Sequence, residues 1–296
     1  MRVVRQADQG SEVHPTRVVY ILGAGRSGST VVGLLLGATP GITYLGEVDA
    51  WLRLHGVPNF EGPAREAFWR AVLARTSPET RALYGDRPWR RVEATRSLVS
   101  PARLWSGGLR RRYRAAAAEV LRAASEESGG EWLVDSSHYP LRLRELQRVP
   151  GLDVRVLYVY RDPRSVVRSF RSGEVEQGTK GRFAANAYLW ATTAVSLVAY
   201  LRTPSPRRDL LLFEDALASP QQAVDRVRAQ LCGEEASARL PADLPTGVAF
   251  QGNRLLSRDS VTFEPSTGRP PRDPVTRLLQ LPWTYLIHRR LGSPRR

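Results

Sequence analysis

The chain has 296 residues, 42% hydrophobic and 25% charged, which is the composition of a soluble globular protein with a sizeable core. A formal net charge of +15 suggests nucleic acid, but the basic residues are arginines scattered along the whole chain, with Lys180 the sole lysine, so that reading ranks last. Cys232 alone rules out an intrachain disulfide, and the four histidines lack metal-ligand spacing.

Residues Met1 to Pro15 read as a flexible leader, with charges where a signal peptide would need its apolar stretch, so a cytoplasmic location is expected. Arg17–Leu22 is a β-branched apolar run that predicts a buried strand. It opens directly onto Gly23-Ala24-Gly25-Arg26-Ser27-Gly28-Ser29-Thr30, and helical spacing runs from Gly28 to near Gly37 and Pro40. Backbone N–H groups of such a glycine loop and the helix start form an anion site. Set against G-x-x-x-x-G-K-[ST], the glycines fall at Gly23 and Gly28 and the hydroxyl at Thr30, but Ser29 stands where the lysine belongs. Arg26 and three hydroxyls suit a phosphate group without metal; glycines alone would explain only a turn.

A long insert, Trp51 to Gly130, has helical character, and an insert after the first βα unit is expected above the carboxyl edge of the sheet. Within it, Arg110 to Arg114 reads as one solvated helix face, and Trp51, Trp69, Tyr84, Trp89 and Trp105 read as core or as the lining of an acceptor site. Glu131–Val134 predicts the second strand, closing on Asp135-Ser136-Ser137-His138, and Leu141–Val149 a helix.

Val154–Tyr160 predicts another buried strand, followed by Arg161-Asp162-Pro163-Arg164. Asp162 is a natural N-cap and Pro163 suits the first helical position of a helix over Pro163–Phe170. Arg161 is thereby left at the strand's carboxyl end, and Ser169 lies about two helical turns on. Phe183 to Leu201 reads as a buried helix rather than a membrane span, since Asn186, Thr192, Thr193 and Ser196 interrupt it. Asp209–Phe213 predicts a strand and Pro220–Leu231 a helix. Gly233 to Asp273 reads as ordered but irregular, and Leu278–Leu291 as a last amphipathic helix. Strands alternating with helices imply a parallel sheet covered on both faces.

Two stretches together carry a family resemblance. "GAGRSGST" resembles the 5′-phosphosulfate loop of sulfotransferases that use 3′-phosphoadenosine-5′-phosphosulfate (PAPS), and "YRDPRSVVRSF" resembles their 3′-phosphate motif, an arginine and a serine eight positions later. "LLLFEDALASP" is similar to the family's "RYEDL" segment, with Phe213 in place of the tyrosine, and "QLPWTYLIHRRLG" is similar to the terminal helix of bacterial members. Order and spacing agree from about Val18 to Pro220. The resemblance implies a P-loop-like three-layer α/β fold with a central parallel sheet, a single domain over residues 16–296 and a helical insert over 51–130 on the acceptor side.

It also implies PAPS as sulfonate donor, no metal, and a small-molecule or glycan hydroxyl as acceptor, without nucleic acid or a membrane span. The implied donor-binding residues are Gly25, Arg26, Ser27, Gly28, Ser29, Thr30, Arg161 and Ser169. Arg26 is expected to neutralise charge on the bridging oxygen. Tyr44-Leu45-Gly46-Glu47-Val48 is similar to a "GE" element whose glutamate is the proposed base, so Glu47 is the candidate, with Asp49 its substitute. His138 stands where relatives carry the lysine of "DSSK"; as imidazolium or as neutral imidazole it has a role open to it, and Ser136 or Ser137 could bind the sulfonate. Gln251-Gly252-Asn253-Arg254 is similar to a "GNP" element over the 3′-phosphate, with Arg254 as an additional contact or an ordinary loop residue. The rival expectation is a P-loop phosphotransferase, which would need Mg²⁺ and ATP.

Overall fold

The computed structural model describes residues 15–101, 106–172, 181–233, 239–265 and 269–291. The expected leader falls almost wholly outside them, as does Trp105. The first strand, β1 (Thr16–Gly23), is followed by α1 (Ser29–Gly37) and β2 (Ile42–Gly46). Helices fill the next stretch: α2 (Ala50–Arg53), α3 (Pro63–Ala74), α4 (Pro78–Arg81), α5 (Asp86–Pro88) and the long α6 (Gly107–Ser128). Then come β3 (Trp132–His138), α7 (Pro140–Leu146), β4 (Leu152–Tyr160), α8 (Pro163–Arg171), α9 (Arg182–Arg202) and β5 (Arg208–Leu212). The chain closes with α10 (Phe213–Ala218), α11 (Pro220–Val227), a ribbon of β6 (Asp243–Pro245) and β7 (Ser260–Thr262), α12 (Pro274–Leu279) and α13 (Leu281–Leu286).

The main sheet runs β2-β3-β1-β4-β5 with every pairing parallel. Alternation along β1 builds two cores. Val18, Tyr20 and Leu22 face a cluster that takes in Tyr113 and Leu121 of α6, Leu143 and Leu146 of α7, and Leu197 and Tyr200 of α9. Val19 and Ile21 face the other way, onto Val32 and Leu34 to Leu36 of α1 and Val224 and Val227 of α11. Period-two side chains on a doubly covered strand give the three-layer α/β fold that the sequence implies. Because α1 follows β1 onto one face and α7 follows β3 onto the opposite face, the carboxyl ends of these adjacent strands form the topological switch point of the sheet, the place where α/β folds bind ligands.

Four expectations are corrected. The second strand is Ile42–Gly46, not Glu131–Val134; it lies at the sheet edge beside β3, and the four residues between Gly41 and Gly46 are too few to show a period. The helix over Phe183–Leu201 is only half buried, with Phe183, Trp190, Val198 and Leu201 exposed. The closing helix is broken at Gln280, which C-caps α12 as α13 begins with Pro282 in its first turn. In the Arg110–Arg114 run only Arg111 and Arg112 face solvent; Tyr113 is core, and Arg110 (2.5 Å) and Arg114 (3.0 Å) pair with the buried Glu145. Trp51 and Trp69 are core as well, in the cluster that covers β1.

Candidate active site

At the end of β1 the backbone turns through two left-handed residues, Arg26 (φ 70°) and Gly28 (φ 91°), with Ser27 N–H returning to the Ala24 carbonyl at 3.1 Å. Gly28, the N-cap of α1, has no side chain of its own with which to accept the N–H groups of the first turn. Ser27 is buried, and its Oγ is an orphan without a hydrogen-bond partner. A polar atom shut away from water without a partner is costly unless a ligand completes it. Gly25 N–H donates to Tyr188 Oη at 3.3 Å, tying α9 to the loop.

Gly28 is required twice over. A Cβ there would lie 2.2 Å from the Phe213 ring, in a backbone conformation that costs an L-residue about 1–2 kcal/mol. Gly28→Ala is therefore expected to lower the denaturant midpoint and to abolish whatever anion affinity the loop has; an unchanged midpoint would show that Phe213 yields freely.

Arg161 follows β4. Its Nη1 donates to the Arg26 carbonyl at 3.2 Å, and its guanidinium stands 5.0 Å from the centre of the Phe213 ring. Burial lowers its pKa, and so does the Arg26 charge, while Glu214 and Asp162 oppose them. The contact with the Arg26 carbonyl holds Arg161 against the loop, where a bound anion would join Glu214 and Asp162 in stabilising its charge. Asp162 caps α8 by accepting Arg164 N–H at 2.8 Å, so the local cap chemistry leaves Arg161 at the strand end. Ser169 is half-buried on α8; among the described residues no hydrogen bond links it to Arg161, although its carbonyl accepts Ser172 Oγ. Arg254 is exposed on a short 3₁₀ turn, Arg254–Ser257, next to the segment whose Asn253 N–H donates to Thr30 Oγ1 at 3.4 Å.

A second group of residues gathers at the ends of β2 and β3. Glu47 is half-buried just past β2, its N–H donating to the Gln251 carbonyl at 2.7 Å. Burial, and then the neighbouring Asp49 carboxylate, push the Glu47 pKa up to about 8 against the opposing charges of Arg53 and Arg26. Asp49 is itself buried and paired with Arg53 at 2.9 Å, and its N–H donates to Ser137 Oγ at 3.0 Å. Ser137 Oγ donates in turn to Asp135, which also accepts Ser137 N–H at 2.9 Å. The register of β3 on β1 slips between Tyr20 and Leu22, so His138 ends the strand in a left-handed conformation (φ 54°). Burial lowers the His138 pKa and Asp49 works against it, so the ring is neutral at neutral pH.

The loop, Arg161, Glu47 and His138 thus all stand at the carboxyl ends of β1, β4, β2 and β3. Sequence reasoning passed over Tyr188 and Tyr44. Tyr44 Oη lies 3.0 Å from Ser136 Oγ, and burial raises its pKa against the opposing hydrogen bonds to Ser136 and Thr30, so the phenol stays neutral. A lone tyrosine in an apolar stretch was the one available signal for Tyr188. Among the described residues no group of three or more His, Cys, Asp or Glu side chains is arranged to hold a metal.

A family model described as the sulfotransferase family matches residues 18–235. Among solved structures, the sulfotransferase domain of the Synechococcus PCC 7002 olefin synthase is 17% identical with a TM-score of 0.50, over 95% of this chain and 99% of that one. The sulfotransferase domain of the curacin biosynthetic pathway is 16% identical with a TM-score of 0.52, over 90% of this chain and 97% of that one. No curated protein sequence matches this chain.

Proposed function

The chain belongs to the sulfotransferase family, and from that premise we propose that it transfers a sulfonate from PAPS to the hydroxyl of a small-molecule or glycan acceptor, with Glu47 as general base. The observation that supports this reading is the anchoring of Arg161 on the Arg26 carbonyl, which brings the strand-end arginine of β4 to a loop whose Ser27 hydroxyl is buried and unpaired. PAPS would supply a sulfur centre bearing a phosphate leaving group. Arg26, the backbone donors of residues 25–30 and the hydroxyls of Ser29 and Thr30 hold the 5′ end, with Arg161, Ser169 and the exposed Arg254 assigned to the 3′-phosphate. Arg26 stabilises the negative charge that grows on the bridging oxygen as the S–O bond breaks.

Glu47 accepts the acceptor proton as the hydroxyl oxygen bonds to sulfur. A carboxylate with its pKa near 8 is a stronger base than an ordinary glutamate and is still ionised in part at neutral pH. His138, neutral at that pH, serves as a hydrogen-bonding group to the sulfonate rather than as the fixed cation that a lysine would be. The acceptor enters from the side of residues 51–130. The phosphotransferase reading is weaker because Ser29 stands where a nucleotide-triphosphate loop needs lysine.

Thermal-shift titration tests the donor site. Adenosine 3′,5′-bisphosphate is expected to raise the Tm, well beyond any effect of ATP with Mg²⁺ or of a DNA duplex. Arg161→Ala is expected to weaken the bisphosphate about 10–100-fold, the worth of one or two charge-assisted hydrogen bonds. Equal affinity in the variant would remove Arg161 from the site, and a larger response to ATP with Mg²⁺ would favour the rival.

A further inference from the structure

One flank of the molecule combines exposed apolar side chains with exposed arginines. Asn186 on α9 donates from Nδ2 to Thr276 Oγ1 at 3.0 Å and accepts from Gln280 Nε2 at 3.1 Å, and Trp190 meets Trp283 edge-on at 4.9 Å. These contacts hold α12 and α13 along one side of α9. Outward from that seam, Phe183 is 75% exposed and Leu278 71%, and Trp190, Leu281 and Tyr285 are exposed with them. Along α9 the exposed apolar residues Phe183, Ala187, Trp190, Ala191, Val198 and Leu201 recur at helical spacing, so they form one stripe rather than scattered exceptions. A stripe of this size continued onto a neighbouring helix pair is uncommon on a surface that faces only water.

The charge on these helices is of one sign. No aspartate or glutamate occurs in α8, in α9, or from Pro274 to Leu291. Arg168, Arg171, Arg182, Arg202, Arg277 and Arg289 on the same elements are all exposed. Among the described residues, Asp273, just before α12, is a carboxylate near these arginines; it is taken up capping Thr276 and lies close to Arg182 and Arg171, while Glu174 and Glu176 fall outside the described residues.

We propose that this flank docks on an anionic lipid bilayer surface, with Phe183, Trp190, Leu278 and Leu281 entering the interface and the arginines meeting headgroup phosphates. Charge decides between the two occupants an apolar face could take. A second copy would bring the same arginines against their own kind on a molecule of net charge +15, whereas anionic headgroups neutralise them. Among the described residues no helix is long and apolar enough to cross a membrane, so the attachment is to the surface. Beside this stripe, Tyr188 of α9 reaches the loop at Gly25, so docking would fix the candidate active site relative to the lipid plane.

Co-sedimentation with vesicles tests the surface. Phosphatidylcholine vesicles containing about 30% phosphatidylglycerol are expected to bind the protein at least about tenfold more tightly than phosphatidylcholine alone, and about 0.5 M salt should release most of it. The triple variant F183S/L278S/L281S should lose about tenfold in vesicle affinity and the blue shift of tryptophan emission that accompanies binding. The same variant should keep its thermal response to adenosine 3′,5′-bisphosphate, so that failure here is separable from failure of the donor site. Wild-type protein that stays in the supernatant, or a triple variant that binds as well as wild type, would overturn the proposal. So would a concentration-dependent dimer that the triple variant abolishes, which would assign the face to a second copy.

Discussion

Glu47→Gln is expected to cut turnover by about 10²–10⁴-fold, the usual contribution of a general base, while leaving the affinity for adenosine 3′,5′-bisphosphate nearly unchanged. The isosteric amide keeps the size of the side chain and the N–H bond to the Gln251 carbonyl, but it cannot take a proton. In the wild type, kcat/KM should rise with pH until the carboxyl ionises near 8 and then level off. The rise should vanish from the residual activity of the variant. Undiminished turnover in Glu47→Gln would pass the role of base to Asp49 or to His138.

The same substitution should also stabilise the protein. A carboxyl whose folded pKa lies above its unfolded value of about 4.5 binds its proton more tightly when folded. Its ionisation therefore opposes folding, by an amount that starts near pH 4.5, grows through neutrality and is complete above about 8. Glutamine removes that cost, so the Tm of the variant should pull ahead of wild type progressively between pH 5 and 8. Lost turnover accompanied by gained stability is the signature of a group held in an unfavourable state for its chemistry. A merely structural glutamate would lose both.

What could be read from the sequence was local. The β1–α1 loop announces itself because glycines, hydroxyls and Arg26 fall within eight residues of a β-branched strand. Arg161 was placed at its strand end by the cap chemistry of Asp162 and Pro163, and that cap is present in the structure. β2 escaped because its five residues pair only at the sheet edge. The sequence of α9 reads as a buried helix because its exposed face carries Phe183, Ala187 and Trp190 instead of the charges that ordinarily mark a solvent face. Tyr188 and Tyr44 were missed for a different reason. Each acts on the loop through a contact across the sequence, 163 residues in the case of Tyr188 and Gly25, and no spacing rule reaches that far.

Beneath the site lies a charge network that no local pattern discloses, and it yields the second large effect. Arg142, on α7 and buried, donates to Asp135 Oδ2 at 2.9 Å and to Glu93 Oε1 at 3.2 Å, and bonds to the Tyr113 hydroxyl, which donates to Glu93. Asp135 in turn orients Ser137, the acceptor for Asp49 N–H. The Glu93 pKa is already pushed up to about 7, by burial and then by Asp49, with Arg142 among the groups holding it down. Arg142→Met fills a similar volume but leaves two buried carboxylates without their cation. Breaking a buried pair in this way costs about 3–5 kcal/mol, a large part of the stability of an ordinary domain. The loss should be greatest near pH 8 and smallest near pH 5, because without Arg142 the Glu93 carboxyl takes up its proton still more readily in the folded state than in the unfolded one. Adding Glu93→Gln to Arg142→Met should recover part of the Tm, since it removes one of the stranded charges. A single variant that melts with wild type across that pH range would mean the carboxyls are relieved by water or by one another. The alignment of Ser137 and Asp49 beside Glu47 would then have to rest on packing alone.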